Sequence, residues 1–297
     1  MALARPGRVV ADLLNRQPLP QGVSSLHLPK VSGGTVVGVQ QPQNTQIANT
    51  DMQTTSVSSG VSTLAGQQVV SLQLISQSGI PLDKVILGDL AFDYSKQLDL
   101  QVVQGTGANS QLRGLENGAS VGTTAFPSAS PCLHLDDERK LVSLRDGESS
   151  ERDRGRAYLP AQQILMTPTR WNWCQEALDT ATRPMLLASG ASFNAPGMST
   201  EITAEGASGT LLNLPVYVAN RLPSSHGTGT NADEVIVLRG SDVFLYEGEL
   251  ALESFDATYA HQASILLRAL NFVGMIPDRY PSSVNLVNGT GQVARTL

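Results

Sequence analysis

The side chains best suited to chemistry are few and scattered. His27, His134, His226 and His261 stand singly, without a second ligand at metal spacing, and Cys132 and Cys174 form no Cys-x-x-Cys pair. Zinc is held by three or four ligands converging from short, fixed spacings, so these residues read as ordinary surface or core side chains. No Gly-x-Ser-x-Gly elbow occurs, and no nucleophile is paired with a base at recognisable spacing. Gly105-Thr106-Gly107 has the composition of a phosphate loop but follows a helical pattern. A nucleotide-binding fingerprint follows a strand and opens a helix, so this segment reads as a helix stop. Asn288-Gly289-Thr290 fits a glycosylation acceptor, yet without a secretory signal it reads as a turn. Trp171 and Trp173 read as packing residues. The expectation is a chain with no catalytic residues, no metal ligands and no cofactor, hence not an enzyme.

Composition points the same way. Charged residues make up 15% of the 297 and hydrophobic residues 41%. Charge is well below the roughly 25% of ordinary soluble domains, so much of the surface is uncharged and suited to burial against partners. A net charge of −6 and a pI near 5.2 give no electrostatic footprint for gripping phosphates. Two cysteines make no disulfide framework, which fits synthesis in a reducing cytoplasm. The apolar stretch near the N-terminus, Val9, Val10, Leu13 and Leu14, is interrupted by Asp12 and is too weak for a signal peptide. No stretch approaches the length of a membrane span, so no membrane partner is expected.

The elements that would carry such a surface follow from the pattern. Residues 1–30 read as an arm and not as core, with a helical turn or two between Gly7 and Asn15 before Pro18, Pro20 and Pro29 impose extended chain. From Val31 to Ser78 the sole charged residue is Asp51, and Gln, Thr, Ser, Val and Gly dominate. Such a segment has the β-branched content for strands, with alternation at Val70, Leu72 and Leu74, but too little apolar mass for its own core. It reads as a long hairpin needing another surface, against the plainer alternative of a polar linker. Pro81 and Asp83 then open a helix whose apolar row, Ile86, Leu90, Tyr94, Leu98 and Val102, repeats every fourth residue until Gly105. At about 1.5 Å per residue it would be roughly 36 Å long.

More than half the residues from Cys132 to Arg156 are charged, and they read as an exposed, poorly packed loop or helix face. Beyond them come a strand at Ile164-Leu165-Met166, a short helix over Pro168–Leu178, and β candidates at Leu211–Val218, Glu234–Arg239 and Val243–Phe255. Tyr259–Met275 satisfies either a buried strand or a helix.

The order of arm, polar hairpin, long helix, then Gln104-Gly105-Thr106-Gly107-Ala108-Asn109 with Leu112-Arg113-Gly114-Leu115, resembles the HK97-like major capsid proteins of tailed bacteriophages. Ile164-Leu165-Met166-Thr167-Pro168-Thr169-Arg170-Trp171 is similar to that family's strand and Pro-x-x-Trp helix start. Leu214-Pro215-Val216 resembles its "GLPV" strand, Asp278-Arg279-Tyr280-Pro281 its closing turn, and Gly289-Thr290-Gly291 its last strand. Asp12 to Pro20 is similar to actinophage-type members. The departure is Cys132–Arg156, where relatives carry an amphipathic helix. A locally shifted reading frame and a lineage-specific insertion are the competing accounts.

The resemblance implies an α+β HK97-like capsid fold: an N-terminal arm at 1–30, an E-loop at 31–78, a P-domain with spine helix at 79–117, an A-domain at 118–240, P-domain strands at 241–281 and a C-terminal A-domain strand at 282–297. It makes Tyr259–Met275 a strand. It implies self-assembly through hexamers and pentamers into an icosahedral head around double-stranded DNA, in the host bacterial cytoplasm, with a scaffolding protein or protease, a portal and a cement protein as partners. The arm begins at Met1, so scaffolding is expected from a separate protein or a removed segment. An encapsulin-type nanocompartment shell is the first alternative, and a β-rich binding module the second. Some family members cross-link an E-loop lysine to an asparagine with help from a glutamate. Here no lysine occurs from Val31 to Asp83, Lys30 and Lys84 flank that gap, and no glutamate lies from Ser254 to Ile276 around Asn271. Non-covalent cohesion is therefore expected.

Overall fold

The computed structural model describes residues 8–35, 37–39, 47, 49, 51–79, 81–119, 121–125, 160–176, 206–211, 214–225, 231–280 and 283–289. Cys132–Arg156 lies outside them, as do His134 and His226.

A five-stranded sheet is organised around β12 (Ser264–Ile276). On one side β12 pairs antiparallel with β4 (Ser62–Ser71); on the other it pairs with β11 (Ala251–Tyr259) and, further along, with β10 (Phe244–Glu247). β1 (Asn15–Pro18) completes the sheet, parallel to β10. The ambiguous apolar run is thus a strand, and its period-2 alternation assigns its faces. Asn271, Val273 and Met275 are turned toward the long helix α3 (Leu82–Gln104), while Arg268, Leu270 and Phe272 remain partly exposed. Within α3 the expected row is buried at Tyr94, Leu98 and Val102.

The second sheet has six strands in the order β5-β13-β9-β6-β8-β7: β5 (Gly122–Ala125), β6 (Gln163–Met166), β7 (Gly206–Leu211), β8 (Leu214–Val218), β9 (Val235–Leu238) and β13 (Val284–Asn288). Its central strands β6 and β9 are buried at every residue; β9 is a continuous apolar run, and in β6 the one polar residue, Gln163, donates its amide to the Leu13 carbonyl. Helix α4 (Pro168–Glu176) packs Trp171 and Cys174 against it. A buried Arg170–Asp233 ion pair at 3.4 Å ties α4 to the approach to β9. One apolar cluster containing Leu98, Val102, Ile236, Leu245 and Met275 joins the two sheets through α3.

Two expectations are corrected. Residues 8–18 are not a coreless arm: α1 (Val9–Leu13) inserts Val10 and Ala11 fully into the shared cluster. The physical reason lies in α3, where the buried Asp99 carboxylate accepts the backbone N–H of Ala11 at 2.9 Å and of Val10 at 3.4 Å, serving as the cap α1 lacks in its own sequence. The alternation at Val70, Leu72 and Leu74 does not continue as a strand. Ser71 ends β4, and Leu72–Gln77 forms α2, which buries none of its residues.

Candidate assembly site

Residues 31–78 divide at Gly60. Before it, β2 (Ser25–Gly33) and β3 (Gln53–Gly60) form a two-stranded hairpin separate from both sheets; after it, β4 belongs to the five-stranded sheet. Of the hairpin's seventeen strand residues only Leu26 is buried. Toward the tip, Val37 is 97% exposed, Val39 90% and Ile47 73%.

The hairpin is seated by its root. Leu26 packs on the outer face of β12 over Gly274, where an added Cβ would come within 2.5 Å of the Leu26 side chain. Beside this seat a groove of about 740 Å³ is lined by Pro18, Leu19, Val23, Val61 and Phe272, with Glu247 and Glu249 at its edge.

Below the root residues 8–16 are clamped. Arg8 grips Glu247 with both terminal guanidinium nitrogens, at 2.7 and 3.0 Å, and Arg16 adds a third bond at 2.9 Å. The Tyr94 hydroxyl donates to Glu247 at 2.8 Å and accepts from the Asn271 amide at 2.6 Å. Burial alone would raise the Glu247 carboxyl, but the bonds from Arg8 and Tyr94 and the nearby guanidinium charges outweigh it and hold the group below its usual range. Burial, then the bond to Glu247, pushes the Tyr94 phenol up.

At the other end of α3 the glycine-rich segment folds back on the helix. The N–H groups of Gly105, Leu115 and Glu116 bond to the carbonyls of Gln101, Val102 and Val103, satisfying the last turn. The return is close enough that a Cβ on Gly114 would meet the Val103 carbonyl oxygen at 2.6 Å, and Gly107 holds a φ of +71°. Leu112 and Leu115 then plug the core, and Arg113 pairs with Asp278 at the end of β12. Glu116, in this turn, faces Glu234 at the start of β9. Burial, then the neighbouring Glu116 carboxylate, raises Glu234 to about 8.

This arrangement is suited to holding surfaces in register. Among the described residues no three His, Cys, Asp or Glu side chains are gathered as a metal would require. His27 is exposed beside Ser25, and His261 is exposed with its ring near Tyr259. No helix of the described residues is long and apolar enough to cross a membrane. Cross-linking chemistry is obstructed rather than wholly unsupplied. Lys30 lies in β2 opposite Thr55, and Asn271 is 1% exposed with its amide committed to Tyr94. A glutamate does stand near it, Glu247, reached through Tyr94 and not found by reading along the same strand. Paired with two arginines, it is a weakened proton acceptor. The sequence signal for this clamp is slight: Arg8, Asp12 and Arg16 at four-residue spacing beside a short apolar run.

A model of the phage capsid family matches residues 2–281. Among solved structures, the capsid of a native GTA particle superposes with a TM-score of 0.73 at 14% identity, covering 97% of this chain and 92% of that one. Chains from Gordonia phage Cozz (TM-score 0.71, 10% identity, covering 98% and 89%) and Mycobacterium phage Bobi (0.69, 14%, 98% and 93%) are similar to the same extent. No curated protein matches the sequence.

Proposed function

The chain belongs to the phage capsid family and is a major capsid protein with the HK97-like fold; from that premise we propose that it closes an icosahedral head by laying its hairpin across the adjacent copy, around double-stranded DNA. The observation that carries this is the hairpin itself, which projects from the body with one buried residue and a valine-bearing tip whose sole charged residue is Asp51. Such a strand pair is marginal alone in water and gains its burial from a neighbour. Hexamers and pentamers follow as closed rings of one repeated contact.

The division into an arm anchored in the core through α1, an E-loop, a P-domain and an A-domain belongs to the same proposal, with the five-stranded sheet and α3 as P-domain and the six-stranded sheet as A-domain. A net charge of −6 suits DNA that is packed and later released rather than gripped. Scaffolding or protease, portal and cement proteins are its expected partners, and the host cytoplasm its place of assembly. Cohesion is non-covalent, since the Asn271 amide is buried and its nearest glutamate is neutralised by arginine.

Electron microscopy of purified particles, with denaturing gels of the same material, tests the proposal. Closed shells whose subunits run singly near 31.5 kDa are the expected result. A stable monomer that no partner protein drives into shells would overturn the assembly reading, and a ladder of oligomers surviving heat and reductant would overturn non-covalent cohesion.

A further inference from the structure

Five acidic residues are buried among the described residues: Asp99, Asp233, Glu234, Asp242 and Asp278. A buried carboxylate is costly unless it is paired or hydrogen-bonded, and four of the five are met by donors. Asp99 accepts the N–H groups of Val10 and Ala11, Asp233 pairs with Arg170, Asp242 with Arg239 and Ser283, and Asp278 with Arg113 and the Ala119 N–H. Glu234 meets another acid. The residue is 1% exposed, and its carboxyl is hydrogen-bonded to that of Glu116. Ionised carboxyl groups only accept, so this bond exists only while the two hold a proton, which belongs to them jointly.

The position of these two carboxyls gives the proton a consequence. Glu116 belongs to the return after α3, held on the helix end by its own N–H to the Val103 carbonyl and by that of Leu115 to Val102, with Leu112 and Leu115 buried. Glu234 directly precedes β9, which runs between β13 and β6 in the six-stranded sheet. Because α3 packs on β12 of the five-stranded sheet, the two carboxyls bridge the helix of one sheet to a central strand of the other. The charges on the surrounding elements are engaged elsewhere: Arg113 on the return with Asp278, Asp233 with Arg170 of α4, Arg239 after β9 with Asp242, and Asp99 on α3 with α1. Strands β5, β6 and β13 carry no charge, and Arg221 beyond β8 does not act on the Glu234 carboxyl.

We propose that Glu116 and Glu234 are a proton-held latch between the end of α3 and the six-stranded sheet. With the shared proton in place, the return and β9 are drawn together. When it leaves, two like charges in a buried site push the return off the sheet and admit water between them. Burial, then the neighbouring Glu116 carboxylate, raises Glu234 from 4.5 to about 8, so the latch is closed through neutral pH and opens in mild alkali. It sets how firmly the two sheets are held to one another, in a free subunit and in a shell alike, and it stands whether or not the hairpin makes the contact between copies.

Hydrogen exchange of the full wild-type chain beside Glu234→Gln and Glu116→Gln reads the opening, each comparison made at one pH so that the intrinsic rate cancels. At about pH 6 the three should agree within roughly twofold; at about pH 9.5 the wild-type amides of Leu115 and Glu116 should exchange on the order of tenfold faster than in either variant. Infrared spectra supply a second readout, one that a merely structural role would not move. The protonated-carboxyl carbonyl band of the wild type should lose intensity between those two pH values, and the lost component should be absent from both variants. A wild type that exchanges like the variants at the higher pH would overturn the latch, as would an alkaline rise shared by all three. Should one variant fail to fold, the other carries the comparison. The wild-type band needs neither, and its persistence unchanged into alkali would overturn the latch while leaving shell formation intact.

Discussion

Strands β9 and β3 share a backbone conformation and almost nothing else. All four residues of β9, Val-Ile-Val-Leu, are buried between β13 and β6, while none of the eight residues of β3 is buried. β9 forms because its side chains leave water. β3 forms because Ser, Thr and Val tolerate extended chain and β2 offers one ladder of hydrogen bonds. A strand of the first kind belongs to the subunit; a strand of the second kind is completed by something outside it. The largest effect should therefore fall on β9. Ile236→Ala, at a fully buried site in the cluster that joins the sheets, should cost the subunit roughly 2–5 kcal/mol in chemical unfolding. Val57→Ala in β3 should cost less than about 1 kcal/mol in the same measurement. Equal losses would erase the distinction.

The clamp on residues 8–16 belongs with β9 rather than with the hairpin. Asp99→Ala strands two buried N–H groups at the start of α1 and should cost about 1–3 kcal/mol in thermal unfolding, with Asp99→Asn recovering part of it because an acceptor oxygen remains. A null result would return residues 8–14 to the status of a detachable arm.

That case also marks where the sequence stopped being readable. The four-residue spacing of Tyr94, Leu98 and Val102 declared α3 from local pattern alone, and the glycines at 105 and 107 declared its stop. The burial of Val10 and Ala11 was hidden because their cap sits 88 or 89 residues away in the chain. Arg8, Tyr94, Glu247 and Asn271 come from four distant parts of the chain, brought together by the pairing of β1 with β10, the pairing of β10 with β12 and the packing of α3 on β12. Leu72 and Leu74 misled because alternation implies a strand only where one face has something to cover, and α2 has nothing.

Glu234 sharpens the comparison by pH. Its carboxyl is raised to about 8 in the folded chain from an ordinary value of 4.5. Between those values the folded state holds a proton that the unfolded state has released, so subunit stability falls as pH rises from about 4.5 to about 8 and levels off beyond. Glu234→Gln, which cannot ionise, should flatten that decline, a change of roughly a few degrees in melting temperature across the window. Substitutions in the hairpin should leave the slope untouched. A wild-type melting temperature that is level across this range would show that the Glu116–Glu234 contact is relaxed by solvent.

The smallest effect on the subunit is the most telling. Val37 and Val39 are 97% and 90% exposed, so replacing both with Ser removes apolar surface that the isolated subunit never buried. Its unfolding free energy should change by less than about 0.5 kcal/mol. In the particle the same valines lie on the element proposed to rest against a neighbour, and each side chain fully withdrawn from water contributes roughly 1.5–3 kcal/mol. Repeated at every copy, even a fraction of that should lower the denaturant concentration at which shells dissociate, measured by light scattering beside subunit unfolding by circular dichroism. Dissociation should move while unfolding stays still. If both move together, the hairpin is part of the subunit's own fold and the contrast between β9 and β3 fails; if neither moves, the tip is free in the shell and the intersubunit contact lies nearer the hairpin's root.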